Sequence, residues 1–114
     1  SGSVKIDNLI VNNDCEIESA RGKIDIEKSI INNLELDIIN GSANINSLLT
    51  GKNEIDLTSG IINLNLIGDD YKFNTDEVSG TIKINNEREI VNNNGNTIIE
   101  IENVSGSVNV LTNR

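Results

Sequence analysis

The sequence predicts an all-β protein, a parallel β-solenoid of about five coils with roughly 20 residues each. Three observations carry this reading. Six glycines, Gly2, Gly22, Gly41, Gly60, Gly80 and Gly106, recur at steps of 20, 19, 19, 20 and 26 residues. Each is followed at the second and fourth place by an apolar residue, giving the pairs Val4/Ile6, Ile24/Ile26, Ala43/Ile45, Ile62/Leu64, Ile82/Ile84 and Val108/Val110. The composition is rich in Ile, Leu, Val and Asn, with no Pro and a single Phe and Tyr. That mixture suits pleated strands and turns.

The alternation after each glycine is that of a strand with one buried face. A second strand precedes each glycine, its inward residues seven and five places before it: Cys15/Ile17, Leu34/Leu36, Asn53/Ile55, Phe73/Thr75 and Ile99/Ile101. Asn53 and Thr75 break the apolar rule. Apolar doublets at Leu9-Ile10, Ile30-Ile31, Leu48-Leu49 and Leu66-Ile67, with a shifted counterpart at Ile90-Val91, suggest a short third side. Coils resting on one another in chain order, about 4.8 Å apart, stack like strands into parallel ladders. The crossover rule makes the winding right-handed. The glycines mark a recurring corner where a Cβ would obstruct. A β-sandwich with regular turns remains the competing architecture; it accounts for short strands but not for this registration. The leucine-rich-repeat frame is missing.

Residues 1–114 form one domain and read as a piece of a longer protein, with neither an initiator Met nor a signal peptide. No apolar run reaches the roughly 18 residues of a membrane span, so this segment is not expected to insert directly into a membrane. The long last step places an inserted loop or small hairpin at residues 85–96, ending in the turn signal Asn94-Gly95-Asn96. Open strands at the terminal coils predict end-to-end self-association, unless that insert folds over one end.

The net charge of −9, from 18 acidic and 9 basic residues, disfavours nucleic acid, whose phosphates need a basic footprint. With no His, the usual nucleophile–base pairs are missing. Cys15, the only cysteine, points inward as a structural thiol and can form no internal disulfide. Phosphate-loop, dinucleotide and calcium-nonapeptide motifs are absent. Asp69-Asp70 after Gly68 reads as a turn. No cofactor or metal site, and no catalytic residue, is expected.

One pattern stands out. The outward residues six places before each glycine are Glu16, Glu35, Glu54, Asn74 and Glu100; those four places before are Glu18, Asp37, Asp56, Asp76 and Glu102. Nine of these ten are acidic, half of the acids in the chain. Stacking turns them into two carboxylate rows on one face, with Lys52 and Lys72 just upstream to offset part of the repulsion. The outward column of the other strand is mixed: Lys5, Asp25, Asn44, Asn63, Lys83 and Asn109. An acidic face of this kind is either solvated or a binding surface for cations, a cationic peptide or a cationic protein partner.

The segments "EVSGTIKI", "NVSGSVNV" and "LTSGIINL", with weaker copies "SARGKIDI" and "INGSANI", resemble the bacterial β-strand-repeat family named for adhesins, a domain of unknown function. The resemblance covers essentially the whole chain. It implies a β-solenoid, a cell-surface or envelope setting with any anchor or signal outside this segment, and no established catalytic residues. The expected role is a non-catalytic interaction module. The alternatives are a fragment of a polysaccharide-active β-helix enzyme, which the scarcity of aromatics opposes, and a purely structural spacer.

Overall fold

A computed structural model describes residues 2–68, 70–85 and 95–112. Among these residues, nine strands form one sheet whose pairings are all parallel: β1 (Ser3–Asp7), β2 (Ile10–Val11), β3 (Cys15–Asn32), β4 (Leu34–Thr50), β5 (Lys52–Leu66), β6 (Tyr71–Glu77), β7 (Thr81–Ile84), β8 (Thr97–Asn103) and β9 (Ser107–Thr112). Partners lie about one repeat apart in sequence for the first four coils, as in Val4 beside Ile24, Ile24 beside Ala43, and Ala43 beside Ile62. This is the parallel solenoid that the glycine period predicts. β3, β4 and β5 each run through the corner without losing their ladder, because Gly22, Gly41 and Gly60 pair in register.

The corner motif has a specific physical content. The Ser59, Ser105 and Ser79 hydroxyls each donate to a carbonyl on the coil below: Ile39 at 3.2 Å, Thr58 at 2.9 Å and Val104 at 3.1 Å. The following glycine sits on the glycine carbonyl of the same neighbour. A Cβ on Gly60 would lie 1.9 Å from the Gly41 oxygen, and one on Gly80 2.3 Å from that of Gly106. So serine ties two coils together and glycine lets them close to strand spacing.

The alternating residues fill the interior. Ten of the twelve apolar positions after the glycines are buried. The exceptions are Val4, 48% exposed, and the half-buried Ile6, both in the terminal strand β1. Asn53 is fully buried and acts as a ladder link. Its Oδ1 accepts from Leu34 N–H at 2.8 Å, and its Nδ2 donates to the Thr50 and Ile98 carbonyls. Thr75, the other polar inward residue, lies exposed on the opposite terminal strand.

The expectation that coils stack in chain order fails at the last two. The spatial order is β1-β3-β4-β5-β8-β6, with β9 between β5 and β7. The C-terminal coil, β8 with β9, is therefore inserted between β5 and the β6/β7 coil that precedes it in sequence. Every coil carries the same column pattern, so the pattern alone cannot distinguish the two orders. Particular side chains do. Buried Asn103 donates to the Thr81 carbonyl above it and exchanges hydrogen bonds with Gly106 across its own corner. Tyr71, from the outer coil, donates to the Ile67 carbonyl and accepts from Leu49 N–H at 3.5 Å. The long step from Gly80 to Gly106 is the one in which the chain returns by one rung.

The insert read at 85–96 lies, over residues 86–94, outside the described residues. Its flanks are tied down: Asn85 exchanges hydrogen bonds with Thr112, and Asn96 donates to the Asp70 carboxylate. The third side exists, with two corrections. Ile30-Ile31 pairs with Leu48-Leu49, but its partner in the first coil is Ile10-Val11, one residue later than the doublet read from the sequence. Leu66 likewise pairs with Ser47, so the Leu66-Ile67 doublet is offset by one. The shifted doublet Ile90-Val91 falls outside the described residues.

Candidate functional site

The acidic columns are real rows. Register places Glu16 beside Glu35, Glu35 beside Glu54, Glu54 beside Glu100, and Glu100 beside Asn74. The second row runs Glu18, Asp37, Asp56, Glu102, Asp76. The inserted coil improves the first row. Asn74 moves to its end, leaving four glutamates on consecutive rungs. Strand alternation turns these side chains outward while Leu36, Ile55 and Ile101, on the same strands, are buried beneath them.

The rows are not equally wet along their length. Glu54, Asp56 and Glu100 in the middle are half-buried, whereas Glu16, Glu18, Glu35, Asp37, Asp76 and Glu102 are exposed. Partial burial, followed by the carboxylates of Glu102, Asp37, Glu54 and Glu35, pushes the Asp56 carboxyl above its ordinary range. At the row's end a hydrogen bond with Glu16, then the Glu16 charge, raises Glu18.

Compensation is slight. Lys52 Nζ reaches Glu100 Oε1 at 3.7 Å, and Lys72 stands in the same column two rungs away, since both lysines pair with Ile98. Among the described residues the only other ion pair joins Lys23 to Asp25, at 3.9 Å. No group of three or more Asp, Glu or Cys among them converges as a metal site; the rows are flat, and a hard cation needs six to eight wrapped oxygen ligands. Cys15 is half-buried at the inward position expected, with its thiol raised by burial. The predicted turn glycines form one column, Gly2, Gly22, Gly41, Gly60, Gly106 and Gly80, whose role is packing.

Two features escaped the sequence reading. The residue two places before each glycine faces outward at the corner. This gives a column of Ala20, Ile39, Thr58, Val104 and Val78 beside the second acidic row, with Ile39 54% and Val78 78% exposed. A shallow cleft of about 290 Å³ lies between the two, lined by Glu18, Asp37, Ala20 and Ile39. The V of the V-S-G phrase was its signal. The second feature is the column read as mixed. With the C-terminal coil inserted, Asn44, Asn63 and Asn109 are adjacent. Asn109 Nδ2 donates to Asn63 Oδ1 (3.4 Å), Asn63 to Asn44 (3.0 Å), and Asn44 to Asp25 (3.3 Å). The lysines are left at the two ends, at Lys5 and Lys83.

Residues 1–114 match the family model Toastrack DUF4097 over their whole length, and the chain belongs to that family, a domain of unknown function. No curated protein and no solved structure matches it. The β-solenoid is thereby supported from two sides, by the parallel stack and by the family.

Proposed function

We propose that the domain is a non-catalytic interaction module of the cell surface or envelope, and that its acidic face holds a polycationic partner. The observation that carries the binding role is the pair of unbroken carboxylate rows, four glutamates and five acids long, with little cationic compensation. Adjacent like charges at about 4.8 Å repel by about 1 kcal/mol per pair in water before screening. A partner that matches many charges along the rows relieves several such pairs at once. A lysine-rich peptide or a basic protein segment has that chemistry. The envelope setting rests on the family resemblance.

The test compares wild type with a variant carrying Asp37→Asn, Asp56→Asn and Asp76→Asn, which keeps shape and removes three charges from one row. Calorimetric titration with a lysine-rich peptide at low salt should show about tenfold weaker binding by the variant, and the difference should shrink as salt rises. Equal affinity would leave the face merely solvated and the domain a spacer.

A further inference from the structure

The corner does not account for the whole V-S-G phrase. Its serine ties neighbouring coils and its glycine lets them close, but its first residue does neither. Val78 and Val104 are exposed, and so is Ile39 at the equivalent place in β4. The main chain sets the order of this column. Ser105 N–H donates to the Thr58 carbonyl and Ser79 N–H to that of Val104, so Ile39, Thr58, Val104 and Val78 stand on consecutive rungs. Two places back along the same strands stand Asp37, Asp56, Glu102 and Asp76. A largely apolar column and a carboxylate row thus run side by side, about 7 Å apart. A cleft of about 290 Å³ opens between them at Asp37 and Ile39. The other flank of the column carries no acid: its residues are Arg21, Asn40, Ser59, Ser105 and Ser79. The strip lies on the outward face of the stack and crosses the interior strands β4, β5 and β8.

We propose that this strip docks a basic amphipathic helix of a partner protein. The helix lies along the stack, its apolar residues on the corner column and its lysines or arginines over the acidic row. Helices held in this way present apolar anchors three and four residues apart. Spacing selects the helix. Rungs recur about every 4.8 Å, and a helix advances about 5.4 Å per turn. Over four rungs the two drift apart by only about 2 Å, which long flexible side chains absorb. An extended segment laid the same way presents same-side residues about every 6.7 Å and drifts by about 6 Å over those rungs. Charge selects the sidedness. With carboxylates on one flank and Arg21 on the other, the basic residues belong on one side of the helix's apolar stripe. Covering the exposed aliphatic side chains adds affinity that charge alone does not supply and that salt does not screen.

The charge preference rests on the acidic-face reading; the apolar column makes a separate demand. The probe is a synthetic peptide of about four helical turns, with Leu along one stripe and Lys along one flank. The control is a scrambled peptide of the same composition, equal in charge but without segregated faces. Titrated into the 114-residue chain, the amphipathic peptide should bind about tenfold or more tightly than the scrambled one. It should also become helical. So short a helix is marginal alone, and the described residues of the chain contain no helix, so helical circular dichroism gained on mixing belongs to the peptide. A variant with Ile39→Thr, Val104→Thr and Val78→Thr keeps β-branching at exposed positions and should melt with wild type, yet hold the amphipathic peptide about tenfold less tightly. Equal binding of the two peptides, binding of neither, no gain of helix, or undiminished binding by the triple Thr variant overturns the proposal. Polylysine, which offers no apolar stripe, tests the acidic-face reading alone. If it distinguishes wild type from the triple Asn variant while the triple Thr variant binds the amphipathic peptide like wild type, the acidic face stands and the helix strip falls. If polylysine does not distinguish wild type from the triple Asn variant, the acidic-face reading falls, whatever the helix does.

Discussion

Asn44, Asn63 and Asn109 on one face, and Glu35, Glu54 and Glu100 on the other, occupy equivalent rungs of one parallel stack. Their spacing is the same and their energetics are opposite. An amide both donates and accepts, so each asparagine bonds to the next along the row, with a typical net gain of about 0.5–1.5 kcal/mol per bond. An ionised carboxylate only accepts, so the same rung spacing that links the amides sets the acids against each other. The asparagine row holds the coils together, whereas the acidic rows oppose stacking and are tolerated because the buried columns and main-chain ladders carry the fold. That asymmetry is the physical ground on which recognition by the acidic face is proposed.

The sharpest way to break the comparison is at the corner that joins both faces. Gly60→Val should destabilise by about 4 kcal/mol or more, since its Cβ would enter the Gly41 carbonyl and Gly60 has a φ of 119°. Gly2→Val makes the informative control. It carries a similar φ, but nothing lies within 4 Å of its Cβ, so it should lose only the backbone-strain part, about 1–3 kcal/mol. Denaturant midpoints for the pair separate close approach from strain. Similar losses would mean that stacking on the neighbouring carbonyl is not what the glycine serves.

Next in size is the inserted coil. Asn103→Ala removes three hydrogen bonds from a side chain that is 1% exposed and that fixes β8 against the β7 coil. A loss of about 2–3 kcal/mol is expected. Asn74→Ala, at the end of the acidic column, should change stability by less than about 0.5 kcal/mol. Thermal melts of both would decide it; equal melting would show that the C-terminal coil does not depend on Asn103 for its place. Within the amide row, Asn63→Ala removes one bond given and one received and should lose about 1 kcal/mol or slightly more.

How much of this was legible in the sequence differs between the columns and their order. Glycine spacing and the alternation after it gave the strands, the inward residues and the acidic rows, because a period-two pattern repeated six times leaves little freedom. The stacking order was not legible, since Ile82/Ile84 and Val108/Val110 satisfy the same neighbours equally well. What decides it is polar and local: Asn109 extends the amide row where Lys83 would have ended it, and Asn103 bonds Thr81. For the same reason the first-strand column read as mixed, in chain order, conceals its ladder.

The smallest expected effect has the opposite sign, and it bears most directly on the acidic face. Asp56 is half-buried in the middle of its row, and its carboxyl is raised by that burial and then by Glu102, Asp37, Glu54 and Glu35. A carboxyl with a folded-state pKa above its unfolded value of about 3.9 binds its proton more tightly in the native state. Its stabilising share is fully present below the unfolded pKa and is lost as pH rises through the folded one. Asp56 thus makes the protein less stable at neutral pH than near pH 4, and Glu18, raised by its hydrogen bond with Glu16, works in the same direction. Asp56→Asn removes the Asp56 share. At neutral pH and low salt the variant should be more stable by about 0.5 kcal/mol after solvent screening, and its decline in stability with rising pH should be shallower. Adding salt should narrow the gap, because the Glu102 and Asp37 charges that act on Asp56 are themselves screened. Parallel pH–stability curves for the two proteins, with the variant no more stable at neutral pH, would show that the row carries no net repulsion at its centre, and the argument for a cation-relieved face would lose its energetic basis.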